Sequence, residues 1–430
     1  PVNLAYNTVL GLLSPWIWLM LRRRLAAGKE DKARWGERWG HWPAVEAPGK
    51  SPRIWVHAVS VGETMAAAAV LRALRSRWPD ACLMVTTVTT TGQAVAAARP
   101  EPDAARYFPI DFPGAARRAV AAAQPDLLLL MEGEIWPNTL LAAHRVGARI
   151  AVVNGRLSDK KLPMWRRVAP LIRGGLNVVD RFAMQSDEDA RRMISLGVDP
   201  AKVIVAGNTK FDESTAPLGS DDKSVLRAEF GIPDGAPVLV CGSTREGSGG
   251  VPDEERLVAD AVAAVRRTHP DLRVILAPRH LERVDGIIRD SFPDAGRRSR
   301  REAGRPDTIL DTFGELARVY ALADIAFVGG SLVPWGGQSV FQPLAQGVPV
   351  VFGPHMNNQR DIAALALAAG VAREVPDSAT LAEAIRENLD ASSDQKARWS
   401  ADALELIARN QGAADRVVRL AEELLGAGKA

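Results

Sequence analysis

Short apolar runs recur along this chain with helical patterns between them, and they do so in two separate series. The first series comprises Ile54–Ala58, Leu83–Thr87, Leu127–Met131, Ile150–Val153, Phe182–Met184 and Val203–Ala206. The second, beginning after Pro237, comprises Val238–Cys241, Val274–Ala277, Ile325–Val328 and Val348–Phe352. Runs of this length suit strands buried on both faces, and strands that alternate with helices build parallel sheets with helices on either side. Two series therefore predict two Rossmann-like α/β domains. The stretch 212–235, rich in Ser, Pro, Asp and Gly, reads as the linker between them. The expected domains are 43–211 and 236–430, the latter ending in the amphipathic helical pattern after Asp377. With 430 residues, 47% of them hydrophobic, the chain can fill both cores.

Residues 1–42 form a third region. An apolar stretch from Leu4 to Leu21, interrupted by Asn7, Ser14 and Pro15, runs into Arg22, Arg23 and Arg24. Together with Lys29, Lys32, Arg34 and Arg38 these arginines outnumber Glu30, Asp31 and Glu37, so the chain's excess positive charge lies at its front. Trp16, Trp18, Trp35, Trp39 and Trp42 crowd the same region, and tryptophan with arginine is the composition of a membrane interface. A cleaved signal would put its cations before the apolar part. Cations after it instead hold the following domain in the cytoplasm. The expectation is an N-terminal membrane anchor or monotopic helix, short for a full span of about 20 apolar residues, with a buried core helix as the alternative.

Other classes find little support. Cys82 and Cys241 sit in strand-like runs, as buried thiols do, and no Cys/His spacing fits zinc. The first strand is not followed by Gly-x-Gly-x-x-Gly, and there is no phosphate-binding Gly-x-x-x-x-Gly-Lys. The charged stretch Arg297–Pro306 lacks the interleaved aromatics of a nucleic-acid surface and reads as a solvated loop. Asp187-Glu188-Asp189 follows Ser186 and opens a helical pattern, so capping accounts for it. No cofactor, metal or nucleic acid is called for.

In open parallel sheets ligands bind at the carboxyl ends of the strands, which directs attention to the tips. Trp335–Pro354 reads as a glycine turn, a short helix and a buried strand, a layout that aims backbone N–H groups at a phosphate. Gly242-Ser243-Thr244-Arg245-Glu246-Gly247 and Arg279-His280 end two further runs of the second series. In the first series, His57-Ala58-Val59-Ser60-Val61-Gly62-Glu63-Thr64 leads into an Ala-rich helix. Glu63 thus falls in a first helical turn, where the helix dipole favours its ionised form. It can serve as a general base or merely complement the dipole. Glu132 and Glu134 end another buried run and need a cation, a hydroxyl or a ligand. Lys210, Arg279 and His280 can counter an anionic donor or stand as solvated surface cations. Of the histidines, His57, His280 and His355 are placed near strand tips.

Taken together these segments resemble the 3-deoxy-D-manno-octulosonic acid (Kdo) transferases of lipopolysaccharide biosynthesis along nearly the whole chain. The resemblance is carried by Arg34–Arg38, His57–Glu63, Thr86–Gly92, Glu132–Asn138, Asn154–Ser158, Gly207–Asp212, Gly242–Gly247, Ala277–His280 and Gly336–Pro354. It implies a GT-B glycosyltransferase of two Rossmann-like domains facing a cleft, working without metal at the cytoplasmic face of the inner membrane. The second domain would hold the donor CMP-Kdo and the first a lipid A precursor. Glu63 would be the base. Donor contacts would come from Lys210, Ser243, Thr244, Arg245, Glu246, Arg279, His280, Gly336, Gly337, Gln338, Gln342 and Asn358, and acceptor contacts from Ser60, Gly62, Glu132, Glu134 and Trp136. Two departures stand out: Gln342 replaces the family's ribose-binding Glu, and Gly242–Gly249 carries Arg245 where the family has His. Two alternatives remain open, a GT-B transferase with another donor or acceptor, and a weakened homologue that binds lipid or nucleotide as a scaffold.

Overall fold

A computed structural model describes residues 4–28, 30–43, 49–158, 161–213 and 216–426. Lys29 of the basic set and Ser214 and Thr215 of the expected linker lie outside them. The chain divides into two compact units, Pro1–Glu213 with Asn410–Ala430, and Ser214–Arg409.

The first unit is built on seven parallel strands: β1 (Arg53–His57), β2 (Cys82–Thr87), β3 (Ala104–Tyr107), β4 (Leu127–Met131), β5 (Arg149–Gly155), β6 (Arg181–Met184) and β7 (Val203–Val205). Their spatial order is β3-β2-β1-β4-β5-β6-β7. The order reverses between β1 and β4, so a crevice opens at the carboxyl tips of those two strands. Alternation along the strands sends side chains to opposite layers. Ile54, Val56, Leu127 and Leu129 pack on one side with Ala66, Ala67 and Val70 of the helix Val61–Arg77, while Trp55, Leu128 and Leu130 pack on the other. The alanines let that helix lie close to the sheet.

Two features of this unit depart from the sequence expectation. β3 was absent from it, because Ala-Ala-Arg-Tyr has no apolar run and becomes a strand by pairing with β2. The helix Ala413–Gly426, expected in the second domain, joins the first unit and buries Val417, Leu420 and Leu424 in its core. Asp212 fixes the start of that helix, accepting hydrogen bonds from Gly412 N at 2.6 Å and Ala414 N at 2.7 Å.

The second unit repeats the plan with β8 (Val238–Thr244), β9 (Arg273–Pro278), β10 (Gly296–Arg297), β11 (Asp307–Ile309), β12 (Ile325–Val328), β13 (Val350–Phe352) and β14 (Ala372–Glu374). All pairings are parallel, in the order β10-β11-β9-β8-β12-β13-β14, with the reversal between β8 and β12. β10, β11 and β14 were not expected. They are two or three residues long and only β11 is buried throughout, so they carry no apolar signature of their own. The expected loop 297–306 therefore begins as a strand edge. Within the expected linker lies a helix, Ser220–Glu229, which buries Leu226.

The N-terminal helix, Leu4–Ala26, has 23 residues and is long and apolar enough to cross a membrane. At about 1.5 Å per residue it spans roughly 35 Å. It runs past Leu21 through the arginines, and its apolar side chains stand exposed, Leu12 at 77% and Trp16 at 63%. Its first turn is fastened to the domain by Tyr6 Oη, which donates to Asp111 Oδ2 at 3.0 Å, and by Asn138 Nδ2, which donates to Asn7 Oδ1 at 2.7 Å. The basic cluster that follows is partly structural. Arg24 and Arg38 both bond the buried Glu30 at 2.8 Å, and Arg34 grips Glu37 with two hydrogen bonds of 2.9 and 3.0 Å.

Candidate active site

In the first unit, β1 ends at His57, and Ser60 caps the helix Val61–Arg77, accepting from Glu63 N at 3.4 Å. Glu63 returns the contact, with Oε2 accepting from Val59 N at 2.8 Å. This reciprocal cap holds the carboxylate at the mouth of the β1/β4 crevice. Among the described residues Oε1 keeps only a long contact of 3.4 Å with Ser60 Oγ. Gly62 lies in the same first turn.

β4 brings the second carboxylate. Glu132 takes the left-handed conformation (φ 59°), an unusual one for a side chain with a Cβ, and its N–H still donates to Val153 O. Lys210, on a short 3-10 helix, puts Nζ 3.7 Å from Glu132 Oε1. That helix is pinned from inside the unit: Thr209 N donates to Asn154 Oδ1 and Thr209 Oγ1 to Ala66 O. Lys210 thus meets an acid of the first unit, whereas the sequence reading placed it among the donor contacts.

Burial pushes the Glu63 carboxyl up to about 7, and the negative charges of Glu132 and Glu134 push in the same direction against the Val59 N–H. The expectation that the helix dipole would favour its ionised form is therefore corrected, because desolvation and like charge outweigh the dipole. Glu134 is also raised, chiefly by burial, with Lys161 opposing. Trp136 packs tilted against Phe108, with ring centroids 5.6 Å apart. His57 does not join the site. It is buried against Phe108, with ring centroids 3.8 Å apart, and Nδ1 faces Thr86. Burial lowers its pKa to about 3, so it is a neutral core residue.

The crevice of the second unit is built differently. Near the end of β8 Ser243 takes φ 57°, and Gly242 is required because a Cβ there would meet Tyr320 Oη at 1.7 Å. Arg245 lies over the Trp335 ring at 4.0 Å and pairs with Glu246 at 2.9 Å, while Trp335 Nε1 donates to Glu246 O. Gly336 and Gly337 both have positive φ, and Asn358 closes their turn by donating Nδ2 to Trp335 O and N to Gly336 O. Gln338 N donates to Gly329 O. Arg245, Glu246, Gly336, Gly337, Gln338 and Asn358 are thus brought together with Trp335. Thr244 is buried and donates to Glu255. Arg279 stands exposed at the β9 tip, while His280 faces Glu282 at 3.3 Å. Gln342 is half-buried on the short helix Phe341–Ala345, and His355 follows β13.

Sequence reasoning missed Glu254. Its side chain is fully buried and accepts hydrogen bonds from Gly330 N at 2.6 Å, Ser331 N and Leu332 N at 2.9 Å and Arg245 N at 2.9 Å. A carboxylate of the chain itself therefore occupies the nest of amides at the β8/β12 reversal. Burial still raises its pKa above the usual range. Its neighbour Glu255 binds Arg283. The signal lay in Asp253-Glu254-Glu255, acidic residues opening an amphipathic helix directly after a strand tip. Elsewhere, Asp189 is drawn inward by Ser186 Oγ and Leu157 N, as its capping pattern predicts.

Two Rossmann-like units, each with its strand order reversing beside the first strand, give the chain a GT-B-like fold, the class shared by glycosyltransferases and nucleotide-sugar 2-epimerases. Solved structures agree on the fold: UDP-GlcNAc 2-epimerase from Neisseria meningitidis matches with a TM-score of 0.59 at 14% identity, over 86% of this chain and 99% of its own. A glycosyltransferase from Rickettsia africae matches at 0.57 with 12% identity, over 87% of this chain and 99% of its own. Residues 33–213 match the family model "3-Deoxy-D-manno-octulosonic-acid transferase (kdotransferase)". The 3-deoxy-D-manno-octulosonic acid transferase of Bordetella pertussis is 35% identical over 98% of this chain and 99% of its own length. That of Haemophilus influenzae is 28% identical over 98% of each. The chain belongs to the 3-deoxy-D-manno-octulosonic acid transferase family.

Proposed function

We propose that this protein transfers Kdo from CMP-Kdo to the 6-hydroxyl of a glucosamine in a phosphorylated lipid A precursor, at the cytoplasmic face of a membrane to which the helix Leu4–Ala26 anchors it. The first unit serves the acceptor and the second the donor. The observation that carries the reading is Glu63, a half-buried carboxylate whose pKa of about 7 matches the working pH of a general base.

Glu63 Oε2 is occupied by Val59 N–H, which leaves Oε1 to take the proton of the acceptor hydroxyl. The hydroxyl oxygen attacks the anomeric carbon of Kdo from the face opposite the phosphate, the carbon–phosphate oxygen bond breaks, and CMP leaves with inversion. An alcohol is far less acidic than a carboxylic acid, so proton transfer accompanies attack rather than preceding it. Glu132, Glu134 and Trp136 line the acceptor side with Ser60 and Gly62. Lys210 pairs with Glu132 and adds a positive charge to the first unit's crevice. In the second unit Arg245 and Arg279, with His280, offer cations to the donor's phosphate and carboxylate. Ser243, Thr244 and Glu246 shape that wall, and Gly336, Gly337 and Gln338 let the backbone approach the nucleotide. Gln342 and Asn358 supply neutral hydrogen bonds to its ribose.

The deciding assay supplies CMP-Kdo, generated in situ, and a tetraacyl lipid A precursor, and follows the lipid by mass. Wild type should add one or more Kdo masses and Glu63→Ala almost none. Absence of transfer by folded wild type would sink the donor assignment, and full activity of the variant would sink the base.

A further inference from the structure

We infer that an apolar groove on the first unit seats one acyl chain of the acceptor lipid; this rests on the reading above that the acceptor is a phosphorylated glycolipid. The groove has a volume of about 640 Å³. Its lining is Ser14, Pro15, Trp18 and Leu19 of the N-terminal helix facing Trp39 and Phe112 of the domain. Trp39 and Phe112 stack 6.2 Å apart and nearly parallel, at 9°, which makes a flat apolar wall. On the helix side Ser14 Oγ turns back to Gly11 O at 2.7 Å, so its hydroxyl is already bonded within the helix. Such a surface suits hydrocarbon.

Position and charge identify the occupant. Phe112 adjoins Asp111, whose carboxylate binds Tyr6 of the N-terminal helix and the backbone of Asn138 and Thr139 beyond the β4 tip. The groove therefore lies toward the carboxyl edge of the sheet that also presents Glu63 and Glu132. At the helix end, Arg22 lies over Trp18 at 4.5 Å, and Arg23 lines an adjoining hollow with Trp16 and Met20. Neither has a carboxylate partner among the described residues, in contrast to Arg24. An apolar channel, cations beside it and a base along the same edge match one molecule that carries acyl chains, phosphate and a reactive hydroxyl.

The test uses the full chain in nanodiscs with two acceptors, the tetraacyl precursor and its fully deacylated disaccharide. Phe112→Ser and, on the exposed helix, Leu19→Ser should each raise KM for the acylated acceptor about tenfold, leaving kcat and the deacylated acceptor unchanged, and Phe112→Leu should restore it. Equal losses with both acceptors, or no loss with either, would overturn the proposal. A second readout needs no turnover: an acceptor bearing a photoreactive diazirine in its acyl chain should label residues 14–19, Trp39 or Phe112, located by peptide mass. Labelling there without any transfer by wild type would keep the groove and sink the reaction. Transfer without labelling, or equal labelling by a diazirine phosphatidylglycerol, would sink the groove as an acceptor site.

Discussion

Both sheets are parallel, seven-stranded and reverse their order beside their first strand, yet they present opposite chemistry at those reversal points. In the first, acids crowd the tip: Glu63, Glu132 and Glu134 stand together with Lys210 as counter-charge, and burial, helped by the neighbouring acids, lifts Glu63 to about 7. In the second, the chain's own Glu254 is sunk into the amide nest, Arg245 lies over Trp335, and Arg279 stands exposed. One crevice gives its half-buried carboxylate a single short hydrogen bond, from Val59 N at 2.8 Å. The other makes a carboxylate inert by giving it four hydrogen bonds. A Rossmann unit is thus a holder of tips, and the side chains at those tips decide what it does.

The largest effect that would break this contrast is loss of the base. Glu63→Gln should lower kcat by roughly 10²–10⁴-fold while donor affinity, measured by calorimetry with CMP, stays within twofold of wild type. Next is Glu254→Ala. It leaves four amides unpaired, three of them buried, and should destabilise the second unit by several kcal/mol, on the order of 1–3 kcal/mol for each buried orphaned group. Thermal unfolding should show that loss, and an unchanged melting curve would remove Glu254 from its structural role.

Arg245→Met comes third. Removing the guanidinium from Trp335 should raise the donor KM about tenfold and leave the acceptor KM alone. The smallest effect sharpens the electrostatics of the first crevice. The fold raises the Glu63 pKa, so its ionised, active form appears as pH climbs through about 7, and kcat/KM should rise over that range. Glu132→Gln removes a negative neighbour and should move this limb to lower pH. Lys210→Met removes the compensating cation and should move it higher. The same linkage predicts that Glu63 subtracts from stability as pH rises from its unfolded value toward 7, so Glu63→Gln should be more stable than wild type at pH 8 by chemical denaturation.

Legibility followed the strength of local signals. β1, β4, β8 and β12 were readable because each is a continuous apolar run at the centre of a sheet. β3, β10 and β14 were not, because edge strands such as Ala-Ala-Arg-Tyr and Ala-Arg-Glu become strands through their neighbours' hydrogen bonds. Glu63 and the Gly336-Gly337 turn could be read from capping and turn chemistry. Its raised pKa could not, since burial and the approach of Glu132 arise only when β1 and β4 pair. Arg245 on Trp335 joins residues ninety positions apart in sequence, and nothing local announces it.

The return of the helix Ala413–Gly426 to the first unit has a consequence for biosynthesis. Val417, Leu420 and Leu424 belong to the core of β1 and β2, so that core is incomplete until these residues have left the ribosome. At about 5–20 residues per second the first strands wait some tens of seconds with an apolar face uncovered, while the whole second unit is synthesised in between. The domain begun first is finished last, and its apolar face stays open throughout that interval.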